Sequence, residues 1–261
     1  MSYYMTLDRE NKPVITIITV SYNASLTIER TILSVINQTY TNIEYIVIDG
    51  GSIDSTVEII GKYHDKISYW ISESDKGIYD AMNKGVDKAT GEWVCFMNAG
   101  DTFYSPNTIL SVSDCFCHQY DIVYGKVNMV NRSYSKLVTP ATVPDKNNPM
   151  PFNHQAVFTK TDLLKRMPFD LSYRYAADYD FYNKILPFAR YCFCDEIIAS
   201  YMIDGISSCN GLSVSLEKIK INPCFYNYFY HLLYVRNFVI KKVLTLLGLG
   251  KVIQILRQRY L

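Results

Sequence analysis

The chain has 261 residues, a formal net charge of +1, 49% hydrophobic residues and 20% charged residues. That length and apolar content fit one large domain with an appendage around a real core, and exclude a disordered chain. The charge is uneven: residues 218–261 hold eight Lys or Arg and no acid, which leaves 18 basic and 25 acidic residues in 1–217, a net of −7. Such a tail is suited to an anionic surface.

The first segments alternate between strand and helix patterns. Residues 14–20 form a β-branched run bounded by Pro13 and Asn23, as in a strand buried on both faces of a parallel sheet. Asn23 or Ser25 can cap a helix with apolar positions Leu26, Leu33, Val35 and Ile36, ending near Gln38. Residues 43–48 read as a second strand, stopped by Asp49-Gly50-Gly51. A helix from Asp54 or Ser55 to about His64, a strand over 67–72, a helix over 78–89 and a strand over 92–97 follow. This order predicts an α/β fold with a mostly parallel central sheet flanked by helices and right-handed crossovers. A nucleotide-type site is expected at the carboxyl ends of its strands. The polar clusters 21–23, 49–52, 73–76 and 98–101 all fall at those ends.

The second half is less regular. Strands are expected over 121–130, 153–159, 192–195 and 197–203, helices over 161–167 and 177–186, and a Pro-rich loop over 145–151. From Ser213 the chain reads as helical and aromatic-rich, with Phe225, Tyr226, Tyr228, Phe229, Tyr230, Tyr234 and Phe238. The apolar stretch 238–256 is interrupted by Lys241, Lys242 and Lys251, which argues against a spanning helix. Together with Arg257 and Arg259, these residues suit an amphipathic helix on an anionic membrane, or packing against the catalytic domain or a second copy of the chain. The seven Cys include no C-x-x-C pair, and the C-x-C pairs 115/117 and 192/194 read as small hydrophobes on one side of a strand. Residues 1–12 lack the apolar core of a secretory signal. Reduced thiols and that polar start suggest a cytoplasmic protein, peripheral at the inner face of the cell membrane.

Several motifs resemble the family-2 glycosyltransferases: Val20-Ser-Tyr-Asn23, Ile48-Asp-Gly-Gly-Ser-Ile-Asp-Ser-Thr56, Ser74-Asp-Lys-Gly-Ile-Tyr-Asp-Ala-Met-Asn-Lys-Gly85, Gly91-Glu-Trp93, Met97-Asn-Ala-Gly-Asp101 and Ala177-Asp178. The stretch 75–85 and Asn153-His-Gln155 further resemble bacterial exopolysaccharide enzymes of the colanic-acid type. The resemblance, from about residue 14 to 208, implies a GT-A fold, a nucleoside-diphosphate sugar donor and a divalent cation, Mn²⁺ or Mg²⁺. The expected layout is a catalytic domain over 1–210, with a donor half of about 14–101 and an acceptor half of about 102–210, then a helical tail over 211–261. The expected activity is inverting transfer of a hexose, with a UDP-sugar as the favoured donor, to a hydroxyl of a lipid-linked saccharide in surface-polysaccharide synthesis. Nucleic acid is not an expected partner.

The resemblance also assigns residues. Asp101 is the expected metal ligand, because a departing diphosphate needs an oxygen-ligated cation to neutralise it. Asn98 and Gly100 stand where the family usually has further acids, so the donor's phosphates must supply ligands. Asp49 resembles the acid that reads the base or ribose, with Gly50 where a second acid is common. Ser21, Asn23, Asp75, Lys76, Asn98 and His154 complete the expected donor-binding set; Lys76 can also be a solvated loop residue. His154 suits the phosphates, the metal or acceptor orientation. Asp178 matches the family's general base, with Ala177 in place of the usual Glu and Asp180 as its rival; it can also merely cap a helix. Ser207, in Gly205-Ile-Ser207, resembles a loop near the diphosphate. Two other readings are an inactive sugar-nucleotide-binding module and a sugar-phosphate nucleotidyltransferase. The latter would need a Gly-rich basic loop after the first strand, which 21–24 lacks.

Overall fold

The computed structural model describes residues 12–130, 135–202 and 210–246. They fall in two compact units, Met1–Asp204 and Gly205–Leu261. The first unit opens with β1 (Ile15–Ser21), α1 (Ile28–Ile36), β2 (Ile43–Asp49), α2 (Thr56–Gly61), β3 (Tyr69–Ser72), α3 (Ile78–Lys88) and β4 (Trp93–Phe96). β1 lies between β2 and β4, β3 flanks β2, and all three pairings are parallel. Every residue of β1 is buried because each face meets its own apolar layer. Ile15 and Ile17 join one core with Ile28, Ile32 and Trp93, while Ile18 and Val20 join the other with Met82, Val86 and Phe96.

Helix starts differ from expectation. α1 begins at Ile28, not beside Asn23, whose φ of 47° is a turn conformation. The expected helix to His64 ends at Gly61, and a separate 3₁₀ turn occupies His64–Lys66.

The acceptor half adds β5 (Thr102–Phe103), α4 (Thr108–Ser111), β6 (Ile122–Val130), β7 (Ser135–Val138), β8 (Val157–Lys160), α5 (Thr161–Arg166), α6 (Ala177–Ile185) and β9 (Tyr191–Met202). The sheet order is β3-β2-β1-β4-β8-β6-β9-β5, with β7 on β6. Parallel pairing thus holds from β1 to β4 and between β6 and β9. The contacts β4–β8, β8–β6, β6–β7 and β9–β5 are antiparallel. The sheet is therefore parallel over most of its register, with antiparallel contacts entering where β8 joins β4.

Two strand readings are corrected. The expected pair 192–195 and 197–203 is one strand within the described residues: Asp195 and Glu196 sit exposed where its register against β6 shifts between Tyr124 and Val127. The expected strand 153–159 begins as a 3₁₀ turn, His154–Ala156, before β8. Cys115 ends a 3₁₀ turn (Ser113–Cys115) rather than lying on a strand.

In the second unit, α7 (Gly211–Ile221) meets α8 (Phe225–Leu246). Ser215 Oγ and His231 Nδ1 are 2.9 Å apart, and Asn227 Nδ2 donates to the carbonyls of Lys218 (3.2 Å) and Asn222 (2.7 Å). Much of α8 stays exposed, including Phe225, Tyr228, Phe229, Phe238 and Leu246. No described helix is long and apolar enough to cross a membrane. Ser207, Lys251, Arg257 and Arg259 lie outside the described residues, as does the side chain of Lys241.

Candidate functional site

The strand ends converge on one carboxylate. Ser21, Asp49 and Ser72 are register partners at the ends of β1, β2 and β3, so their side chains share a face of the sheet. The Asp49 carboxylate is completely buried and accepts five hydrogen bonds. The hydroxyls of Ser21 (2.8 Å), Ser52 (2.6 Å) and Ser72 (2.7 Å) donate to it, as do the N–H groups of Ser52 (2.8 Å) and Gly51 (3.2 Å). Burial would raise the Asp49 pKa, but the serine donors outweigh it and hold the group below its ordinary value.

Asn23 extends this network. Its N–H donates to Ser52 Oγ (2.8 Å), and its Oδ1 accepts from Ile53 N–H (3.0 Å), so the β1–α1 and β2–α2 loops are stitched together. Asp75 closes the floor from the β3–α3 loop, with Oδ1 accepting from Gly77 N–H at 2.8 Å. A Cβ on Gly50 would come within 2.4 Å of Asp75 Oδ2. The space a side chain at position 50 needs is therefore filled by the Asp75 carboxylate. Lys76 is exposed, and its N–H donates to Asp80 Oδ2 at 3.0 Å.

The turn after β4 is held by α1. Thr31 Oγ1 donates to the Asp101 carbonyl (2.7 Å) and accepts from Gly100 N–H (2.9 Å), and Arg30 Nη2 donates to the Gly100 carbonyl. Gly100 has a φ of 107°, a left-handed backbone that disfavours any side chain there. Gln155 Nε2 donates to Asp101 Oδ2 at 3.0 Å. Burial pushes the Asp101 carboxyl up to about 7, against the Gln155 hydrogen bond and the Arg30 charge. Asn98 Oδ1 is buried without a partner among the described residues.

The acceptor side meets this turn through residues 153–155. His154 Nδ1 lies 3.5 Å from Asp178 Oδ2, and its ring stacks on Phe96 with centroids 5.1 Å apart and planes 24° apart. Burial lowers the His154 pKa, opposed by the Asp178 charge, which favours the neutral imidazole near pH 7. Neither ring nitrogen has a hydrogen-bond partner among the described residues. Asp178 stands in the first turn of α6, where its Oδ1 accepts from Tyr79 Oη and from Tyr179 N–H, both at 2.8 Å. Asp180, by contrast, is buried and paired with Lys184 Nζ at 2.6 Å. Two residues apart on a helix, the two carboxylates face different neighbours.

The geometry thus joins Asp101, Gln155, His154 and Asp178 through adjacent residues of one turn, and joins Ser21, Asn23 and Asp49 through hydrogen bonds. Arg30, Thr31, Ser52, Ser72, Tyr79 and Gln155 are site residues to which sequence reading gave no role. A signal existed for Thr31. Thr31, Ser34 and Gln38 form a polar stripe at helical spacing, and each bonds the 100–109 segment: Ser34 Oγ accepts from Phe103 N–H (3.3 Å) and Gln38 Nε2 donates to the Ser105 carbonyl (2.8 Å). Asn83 also has a clear task, exchanging two 2.9 Å hydrogen bonds with the Phe169 backbone beside the His154 pocket.

A sheet with its polar residues gathered at the strand ends, beside one acid in a turn and another at a helix start, is the layout of a nucleotide-sugar transferase. The family model described as glycosyl transferase family 2 matches residues 16–177. The PGL/p-HBAD biosynthesis glycosyltransferase of Mycobacterium bovis is 33% identical over 227 residues, covering 81% of this chain and 84% of the relative. The chain belongs to glycosyl transferase family 2. Among solved structures, the Pyrobaculum calidifontis mannosyltransferase in complex with GDP-Man and Mn²⁺ aligns with a TM-score of 0.63 at 18% identity, covering 85% of this chain and 70% of that one. The S. aureus TarS fragment 1-349 in complex with UDP-GlcNAc gives a TM-score of 0.63 at 19% identity, covering 79% and 64%. This chain spans 39% of the longer TarS chain. The fold is GT-A.

Replacing Asp49 with Ala strands one buried serine hydroxyl, Ser21, and two half-buried ones, Ser52 and Ser72, a fully buried one costing about 1–3 kcal/mol. We expect Asp49→Ala to lose on the order of 3 kcal/mol at pH 7 in urea denaturation. Because the folded pKa is depressed, the carboxylate's contribution is present above its unfolded value and fades as pH falls through the folded one. The gap to wild type should narrow below about pH 4; an unchanged urea midpoint would remove Asp49 as the organiser.

Proposed function

We propose that this chain transfers a hexose from a UDP-sugar to a saccharide hydroxyl, with inversion at the anomeric carbon, at the inner face of a membrane. The reading is carried by the 153–155 turn, in which His154 meets Asp178 and Gln155 meets Asp101. On this reading Asp178 serves the acceptor and Asp101 the leaving group, each reached from a neighbouring residue of that turn.

In the proposed reaction the acceptor oxygen attacks the anomeric carbon as the carbon–phosphate oxygen bond breaks. The nucleoside diphosphate leaves with the bonding pair, and Asp178 takes the acceptor's proton. One attack from one side implies inversion. Tyr79 Oη and the start of α6 fix the carboxylate's orientation. Asp49 works through Ser21, Ser52 and Ser72, holding the floor on which the nucleoside rests. Asp75 takes the base- or ribose-facing role, Asn23 shapes the rim, and Lys76, exposed at the mouth, suits a phosphate. The TarS complexes with UDP and UDP-GlcNAc support a uridine donor.

A divalent cation fits the residues present. Asp101 offers its carboxylate and Asn98 an unpartnered buried oxygen, enough for an ion whose other ligands are phosphates and water. Bound there, the ion would neutralise charge on the departing diphosphate. The complex of the Pyrobaculum neighbour with Mn²⁺ supports the same choice.

The tail supports the membrane half. α8 exposes a run of aromatic and aliphatic side chains with no acid, and its sequence carries Lys241 and Lys242 near its end. Such a surface suits anionic headgroups, and a lipid-linked acceptor in surface-polysaccharide synthesis would be presented there.

Asp178→Asn should lower kcat by at least about 10²-fold, the usual scale of general-base catalysis, with the UDP-sugar Kd unchanged. Wild-type turnover in that variant would take the base role from Asp178. Metal binding should be pH-dependent near neutrality, since a proton competes for a carboxyl raised to about 7. In calorimetry with UDP-GlcNAc and Mn²⁺, affinity should fall up to about tenfold per unit below that pH. Asp101→Asn should flatten the profile, and an identical slope in both proteins would rule out Asp101 as ligand. Finally, the full chain should co-sediment with anionic vesicles and not with zwitterionic ones. Replacing both Lys241 and Lys242 with Ala should cost on the order of 2 kcal/mol, or about 30-fold in affinity. Equal binding to both vesicle types would overturn the anchor.

A further inference from the structure

The glycosyltransferase chemistry leaves one reactive cluster unused. The Sγ atoms of Cys115, Cys192 and Cys194 all lie within 4.8 Å of one another. Cys192 and Cys194 are two apart on β9, so both sulfurs emerge on one face of the strand. The 3₁₀ turn Ser113–Cys115 brings the third sulfur to them. Cys117 N–H closes the turn onto the Cys115 carbonyl at 2.9 Å.

Filling the core does not account for this arrangement. Cys194 is buried, but Cys115 and Cys192 are only half-buried. An apolar side chain would fill such space without bringing three sulfurs into contact. Three thiols in mutual reach, with one side open to solvent, are a donor set for a thiophilic metal ion.

We propose that Cys115, Cys192 and Cys194 form a binding site for Zn²⁺, with the fourth position open on the half-buried side. Zinc–thiolate bonds of about 2.3 Å in a tetrahedron place the sulfurs about 3.8 Å apart, so closure requires movement of at most about 1 Å. The soft sulfur set selects Zn²⁺ over the oxygen-seeking Mg²⁺ or Mn²⁺. This site is separate from the strand-end site. β9 runs parallel to β6, which is antiparallel to β8, itself antiparallel to β4. The start of β9 therefore lies at the edge of the sheet where β4 begins, opposite the Asp101 turn. The ion would tie the 113–115 turn to β9 and so brace the acceptor half.

Co²⁺ serves as the probe, because cobalt–thiolate bonds give an intense near-ultraviolet charge-transfer band that oxygen ligands at Asp101 cannot produce. The reduced full chain should develop that band to saturation at one Co²⁺ per chain and lose it on addition of Zn²⁺. Cys115→Ser and Cys192→Ser should weaken Co²⁺ binding at least tenfold, while Cys224→Ser leaves it intact. If the serine variants fold poorly, the wild type still decides the matter: Zn²⁺ should slow alkylation of Cys115 and Cys192, read by mass spectrometry, without slowing Cys224. Absence of the charge-transfer band from folded, reduced protein would overturn the proposal, as would its survival in Cys115→Ser or equal alkylation with and without Zn²⁺. A disulfide joining Cys115 to Cys192 or Cys194 in protein purified without reductant would also overturn it, replacing the ion with a covalent brace.

Discussion

A buried carboxylate is costly unless its oxygens are satisfied, and Asp49 meets that condition with five donors drawn from three segments. Ser21 and Ser72 come from strands on either side, Gly51 and Ser52 from the loop that follows. The hydroxyl of Ser52 is in turn reached by Asn23. Strand register, loop path and the position of the donor floor are thus fixed by one group. Glu44 does comparable work at the other end of β2, accepting from Thr16 Oγ1 (2.6 Å), Thr90 N–H (2.8 Å) and Thr90 Oγ1 (2.7 Å). The strand is pinned at both ends by acids, with an apolar middle.

With the floor fixed, the site is completed by segments distant in sequence. α3 contributes twice from the same turns: Tyr79 orients Asp178, and Asn83 clamps the Phe169 backbone against the His154 pocket. The aromatic walls Phe96 and Phe169 take His154 out of water and keep its imidazole neutral. α1 holds the Asp101 turn through Arg30 and Thr31. Asp75 fills the space above Gly50, and the backbone at Gly100 takes a positive φ.

The sequence by itself determined the order and type of the long elements and the gathering of polar residues at the strand ends. β-branched runs such as 15–21 and helical spacings such as those in 78–88 are local signals, and the family motifs follow the same local order. It also singled out Asp101, His154 and Asp178, because their motifs are short and contiguous. The short pieces β5, β7 and α4 carry too few residues for a period to show. Only the tertiary structure decided the antiparallel contacts of the second half, since pairing direction depends on partners far along the chain. It also decided that Asp49 is buried among five donors, that Asp180 turns away to Lys184, and that three cysteines from two segments meet. Those outcomes rest on register and burial, which arise only when distant strands are brought side by side.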